Sequence, residues 1–237
     1  MEVLSELWAW LTDPTNWSGS FGIPKRLFEH TQMSLFATAL AAAIAIPAGL
    51  FIGHTRRLEF LAVSLGNLGR ALPSFGILAL VFPLDRYFPG IGFYPTLIAL
   101  FLLAVPPILT NTYVAVKGVD ADTLEAARGM GLSEREVLLG IEARLGAPLI
   151  VAGIRSAAVA VVATATLAAL GGWGGLGRFI IDGRAVGDDG QLVGGALLVA
   201  LLAIATELVL ALVERLSSPK GVGAHRRTAR MPRTVRA

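Results

Sequence analysis

The chain has 237 residues, 54% of them hydrophobic and 16% charged, with a positive mean hydropathy. A water-soluble domain of this size would leave too much apolar surface exposed, so the composition places the chain in a lipid bilayer. Cysteine is absent, which excludes disulfides, thiolate metal sites and cysteine nucleophiles but assigns no compartment.

Residues 1–30 read as an amphipathic interfacial segment. Trp8, Trp10 and Trp17 scatter among Leu, Thr and Asn, as suits a piece lying at the membrane surface. A cleavable signal is not expected, because Glu2 and Glu6 precede any basic residue and Asp13-Pro14 interrupts the apolar run. Five apolar stretches follow, at about Gln32–Ile52, Leu58–Leu84, Phe93–Val116, Pro148–Leu170 and Leu192–Val213, each long enough for the roughly 20 residues that a membrane-spanning helix needs. Pro73 in the second and Pro106-Pro107 in the third each remove a backbone donor, which predicts kinked or divided helices packed inside a bundle where the freed carbonyls find partners. Arg70, one turn before Pro73, and Glu207, in the fifth span, are ionisable groups in apolar surroundings and would pair if the bundle brings them together. Arg155 lies near one end of the fourth span, where its head can snorkel to the interface. Thr164 and Thr166 either line a path or bond to their own i−4 carbonyls.

Between the third and fourth spans, at about 120–147, lies a polar segment containing Glu125-Ala126-Ala127-Arg128-Gly129-Met130-Gly131-Leu132-Ser133-Glu134-Arg135-Glu136. Asp122 stands three residues before Glu125, and Ser133 three before Glu136, so two short helices are predicted, each opened by a capping box. Gly131 between them would supply the positive φ of a sharp reversal. In the second helix Val137, Ile141 and Leu145 recur at i, i+4, i+8, with Glu134, Arg135, Glu142 and Arg144 toward water. The product is a rigid elbow suited to docking. Glu125 is either part of that docking surface or a cap for its own helix, and Arg128 and Arg135 either pair with a partner's acids or belong to a solvated face.

Gly172-Trp173-Gly174-Gly175-Leu176-Gly177 matches a G-x-G-x-x-G pattern, but no strand precedes it and no βαβ unit can surround it, so a dinucleotide site is excluded. It reads instead as a flexible re-entrant or surface loop, with Trp173 either an interfacial anchor or a π face for a quaternary ammonium group. Residues 31–216 thus form the membrane domain and 217–237 a tail with five arginines from Arg226 onward. That tail reads as a cytoplasmic end near anionic lipid rather than a nucleic-acid segment.

Five spans put the termini on opposite sides. With the carboxyl terminus inside, the cytoplasmic segments hold Arg56, Arg57, Lys117, Arg128, Arg135, Arg144, Arg215, Lys220 and the tail arginines, against Lys25, Arg26, Arg86, Arg178 and Arg184 outside. This asymmetry predicts an outside N-terminus and a cytoplasmic elbow.

Glu125-Ala126-Ala127, Gly131, Ile141-Glu142 and Pro148 resemble the EAA loop of the membrane-spanning subunits of ABC importers. Asn16-Trp17-Ser18-Gly19, the Glu29-His30 pair, Leu72-Pro73-Ser74 and Gly174-Gly175-Leu176-Gly177-Arg178-Phe179-Ile180 extend the resemblance to permeases for glycine betaine, carnitine and choline. The chain departs from that pattern at Ala143-Arg144, where the family usually has Leu-Pro. The resemblance implies an all-α permease in a prokaryotic cell membrane. It further implies ATPase subunits docked at Glu125, Ala126, Ala127, Arg128, Gly131, Ser133 and Glu142, a second permease copy or homologue, and an extracytoplasmic binding protein. ATP and magnesium would be bound on the ATPase. This chain has no G-x-x-x-x-G-K-[ST] with which to cradle phosphates, and neither H-E-x-x-H nor G-x-S-x-G. The pathway candidates are Arg70, Pro73, Thr164, Trp173 and Glu207. The rival readings are the same machinery with another cargo such as an amino acid, a lone secondary transporter, for which no inverted repeat is visible, and a membrane enzyme, for which no catalytic constellation is visible.

Overall fold

The computed structural model describes residues 2–71, 74–83 and 92–217, apart from the side chains of residues 68–71 and 74. Every regular element among these residues is helical. Helix α1 (Glu2–Thr12) is followed by a 3-10 turn over Pro14–Trp17, where Asp13 accepts from the Thr15 backbone N–H at 2.9 Å and from its hydroxyl at 2.7 Å. Those two bonds hold the Asp13 carboxyl below the usual carboxylate range. Helix α2 (Ile23–Thr55) begins within the region assigned from sequence to the interfacial segment, so residues 23–30 form the first two turns of a long helix. Trp10 of α1 is buried rather than lying at a surface. It meets Phe179 edge-on, with ring centroids 5.1 Å apart.

The stretch predicted as the second span appears as two helices, α3 (Glu59–Ala71) and α4 (Ser74–Val81). Pro73 lies outside the described residues, as does the side chain of Arg70. Helix α5 (Phe93–Lys117) carries Pro106 and Pro107 in its interior. Among the described residues, four stretches are long and apolar enough to cross a membrane: Ile23–Thr55, Phe93–Lys117, Glu134–Gly171 and Asp189–Ser217. The last is helix α10.

Helix α5 is the centre of the bundle, packing on α2, α3, α4 and α8 (Ala143–Thr164). With no hydrophobic drive between helices in lipid, close packing depends on small residues. A side chain at Gly49 would meet Thr112 Cβ at 2.7 Å, and one at Gly53 would meet Val116 Cβ at 2.7 Å, so α2 and α5 approach nearly backbone to backbone. The main core continues this pattern with Ala37, Ala41, Ala45, Ala104 and Ala157 between Leu100, Ile108 and Val161. Conversely Leu201, Ile204, Leu208 and Leu212 of α10 are exposed, as a lipid-facing surface requires.

Candidate functional site

Helix α6 (Ala121–Gly129) opens at Asp120, whose carboxylate accepts from the Thr123 N–H at 3.1 Å. This corrects the expectation of a cap at Asp122: Asp120 has the extended backbone of an N-cap, and Asp122 is already inside the first turn. Glu125 is exposed and unconnected with the cap, beside exposed Ala126, while Leu124 and Ala127 face inward onto Val137.

Gly131 has φ +85°, and no heavy atom lies within 4 Å of the place a Cβ would occupy. Leu132 N–H donates to Ala127 O at 3.3 Å and Gly131 N–H to Arg128 O at 2.9 Å, the paired bonds that close a helix through a left-handed residue. Ser133 then opens the next helix with a reciprocal capping box: its backbone N–H donates to Glu136 Oε2 at 2.8 Å and its hydroxyl accepts from the Glu136 N–H. Arg128 and Glu134 bridge the two arms through two bonds, at 2.9 and 3.0 Å. Both side chains are therefore engaged inside the elbow, which braces it.

The second arm is a single α-turn, α7 (Glu134–Glu136), that passes into a π-helical segment over Val137–Glu142 and on into α8 and a 3-10 segment over Ala165–Gly171 without a break. The Ala143 N–H bonds to Leu138 O, five residues back. That wider turn re-phases the helix, which corrects the predicted apolar face. Val137 is buried and Ile141 half-buried, whereas Leu145 is exposed and Gly146 takes its place against Ala115.

Glu142 is likewise not toward water. It is 2% exposed, with its carboxylate 2.5 Å from Nδ1 of His54 at the end of α2. His54 Nε2 stands 3.3 Å from Glu134. Arg128, Glu134, His54 and Glu142 therefore form one polar chain from the elbow to the first long helix. The sequence reading missed His54; the only available signal was that an apolar helix ends in a histidine. On the open side, Met130 is 75% and Leu139 51% exposed, with Leu139 beside a groove formed with Leu132, Ser133, Arg135, Glu136 and Gly140. The elbow thus carries exposed apolar side chains, Met130 and Leu139, amid charged ones.

Of the pathway candidates, Thr164, Trp173 and Glu207 lie within the described residues, and they have different neighbours. Glu207 faces Arg155 at 3.3 Å, and Arg155 also reaches Glu214 at 3.3 Å, so Arg155 bridges α8 to α10; the expected pairing of Glu207 with Arg70 involves a side chain outside the described residues. Thr164 borders a small space with Leu78, Thr96 and Leu167. Thr166 bonds to Ala163 O, three residues back, because the helix tightens there. Trp173 is half-buried and packs edge-on against Phe93 at 4.9 Å.

The glycine loop is packed against the start of α2. The Gly175 N–H donates to Glu29 Oε2 at 2.9 Å, and Arg26 holds the same oxygen at 2.9 Å. A side chain at Gly174 would collide with Glu29, and one at Gly177 would lie 2.1 Å from the Thr166 carbonyl. His30, buried beside them, bonds to Val162 O at 2.9 Å. The loop ahead of helix α9 (Gly177–Val186) is thereby pinned to the start of α2.

Comparison with known proteins gives this arrangement its context. Residues 45–220 match the family described as the binding-protein-dependent transport system inner membrane component. The choline transport system permease protein OpuBB of Bacillus subtilis (strain 168) is 36% identical over 83% of this chain and 89% of its own length. The glycine betaine/carnitine/choline transport system permease protein OpuCB of the same strain is 38% identical over 82% and 88%. The fold is similar to that of an inward-facing MetNI methionine ABC transporter chain, with a TM-score of 0.73 at 19% identity over 83% of this chain and 96% of that one. A family match across most of the chain and relatives above 30% identity over four-fifths of it establish that the chain belongs to the binding-protein-dependent transport system inner membrane components.

Proposed function

We propose that this permease imports osmoprotectants of the glycine betaine, carnitine and choline type, driven by ATPase subunits that seat on the elbow formed by α6 and α7. The cargo reading is supported by the relatives' activities. The coupling reading is carried by one observation: the elbow is braced internally and is helically continuous from Glu134 to Gly171. A force applied at its exposed surface therefore reaches the membrane core through a rigid element.

In this reading α3 and α4 together make a divided second span, which brings the total to five. The N-terminus lies outside and the C-terminus and elbow in the cytoplasm, as the basic residues distribute. Glu125, Ala126, Arg128, Gly131 and Ser133 belong to the docking surface, while Ala127 and Glu142 support it from beneath. A second permease copy or homologue completes the pathway, a binding protein delivers cargo from outside, and ATP with magnesium acts on the ATPase.

Reconstitution tests this. The purified chain alone in liposomes should not accumulate glycine betaine under a proton or sodium gradient. Addition of the cognate ATPase and binding protein, with ATP on the elbow side, should start uptake. Gradient-driven accumulation without an ATPase would falsify the importer reading.

A further inference from the structure

A cavity of about 320 Å³ lies between α3, α5 and α8, bordered by Gly66, Leu103, Pro107, Thr110, Asn111 and Ser156. Three independent features mark it as more than a packing defect. First, Pro107 has no N–H, so the carbonyl of Leu103 one turn earlier loses its helical donor; within a membrane such a carbonyl is tolerated where it meets protein or lines an aqueous space. Second, Thr110 Oγ1 is buried and has no hydrogen-bond partner among the described residues, although a threonine in a helix ordinarily bonds to the carbonyl four residues back. Its neighbour Thr112 does so, to Ile108 O at 2.8 Å. Third, Gly66 is what leaves room for that hydroxyl, since a side chain at 66 would stand 2.6 Å from Thr110 Oγ1.

The remaining wall adds polar capacity. Asn111 spends one amide N–H on Pro107 O at 2.8 Å, which orients its carboxamide and leaves a second N–H and an acceptor oxygen. Ser156 contributes a hydroxyl. No ionisable side chain is among the described lining residues.

We propose that this cavity is a transient cargo subsite for a zwitterionic quaternary amine, an inference that rests on the osmoprotectant reading above. Thr110, Asn111 and Ser156 supply N–H and O–H donors for the carboxylate. The quaternary ammonium has no N–H to donate and needs only a region of negative potential, which the Leu103 carbonyl, deprived of its helical donor, provides. Neutral donors hold a carboxylate more weakly than an arginine would, and a conducting site must bind weakly enough to release.

The test is equilibrium binding of labelled glycine betaine and labelled choline to the permease–ATPase complex in nanodiscs, without binding protein. Thr110→Val keeps the shape and removes the hydroxyl. It should weaken glycine betaine binding about tenfold, with Thr110→Ser restoring it, and should change choline binding, which involves no carboxylate, by less than about twofold. Ser156→Ala, at a position exposed on the cavity wall, should act in the same direction and carries the test if Thr110→Val does not insert. Absence of glycine betaine binding by the wild type, unaltered binding by the variants, or an equal loss for both cargoes would overturn the subsite. ATP-driven uptake by the wild-type complex with its binding protein, measured in parallel, distinguishes that result from failure of the osmoprotectant reading itself.

Discussion

At Gly131 the conformational requirement can be separated from the spatial one. The position has φ +85° with open space around it, so a substituent there meets no neighbour and the cost is that of the left-handed backbone alone, about 1–2 kcal/mol. Gly131→Val should therefore insert normally but reduce uptake per ATP hydrolysed, whereas Gly131→Asn, which tolerates that conformation, should retain most of it. Normal coupling in the valine variant would remove the elbow from the coupling route. The His54–Glu142 pair behaves differently, because Glu142 is buried. His54→Ala strands a carboxylate and should lower the stability of the detergent-solubilised complex by about 3–5 kcal/mol, while His54→Ala combined with Glu142→Leu should recover most of that loss in thermal unfolding. Gly131 and the Ser133–Glu136 box are legible in the sequence because their partners lie within a few residues. The partnership of His54 with Glu142 is not, since 88 positions separate them and a histidine at a helix end fits many environments.

Local periodicity identifies the long helices but misplaces what happens at their junctions. The predicted third span, Phe93–Val116, differs from α5 by a single residue, because an unbroken apolar run leaves little choice of boundary. The second arm of the elbow fails as an i, i+4, i+8 pattern because the π-helical segment at Val137–Glu142 inserts a wider turn that side-chain periodicity does not announce. Gly140 lies in that segment, exposed and without neighbours, so its deletion removes the extra residue without creating a cavity. Regular α-helix would then run through, and because about five α-helical residues sweep roughly the same angle as six in the wider turn, the elbow would keep its azimuth relative to α8. Membrane insertion and co-purification of the ATPase should therefore both persist; loss of co-purification would show that docking needs the wider turn itself. The glycine loop shows the same limit: its composition suggests mobility, but the contact with Glu29 that pins it comes from 146 residues away.

For the whole molecule, charge predicts the direction of insertion. Alkaline phosphatase fused after Gly190 should be active and after Lys220 inactive, and the reverse pattern would place the elbow outside. Bundle membership was legible from composition, and the pairing of α2 with α5 was not, because it depends on Gly49 and Gly53 facing Thr112 and Val116 rather than on any hydrophobic pattern. The unbroken helix from Glu134 to Gly171 has one further consequence. At about 1.5 Å per residue it measures roughly 57 Å. Near its midpoint Gly153 lies so close to α5 that a side chain there would meet Asn111 Cβ at 2.7 Å and Pro107 O at 3.1 Å. Glu142 and the Val162 carbonyl tie the same helix to α2 on either side of that contact, so the helix is a beam clamped along its length to the first long helix as well as to α5.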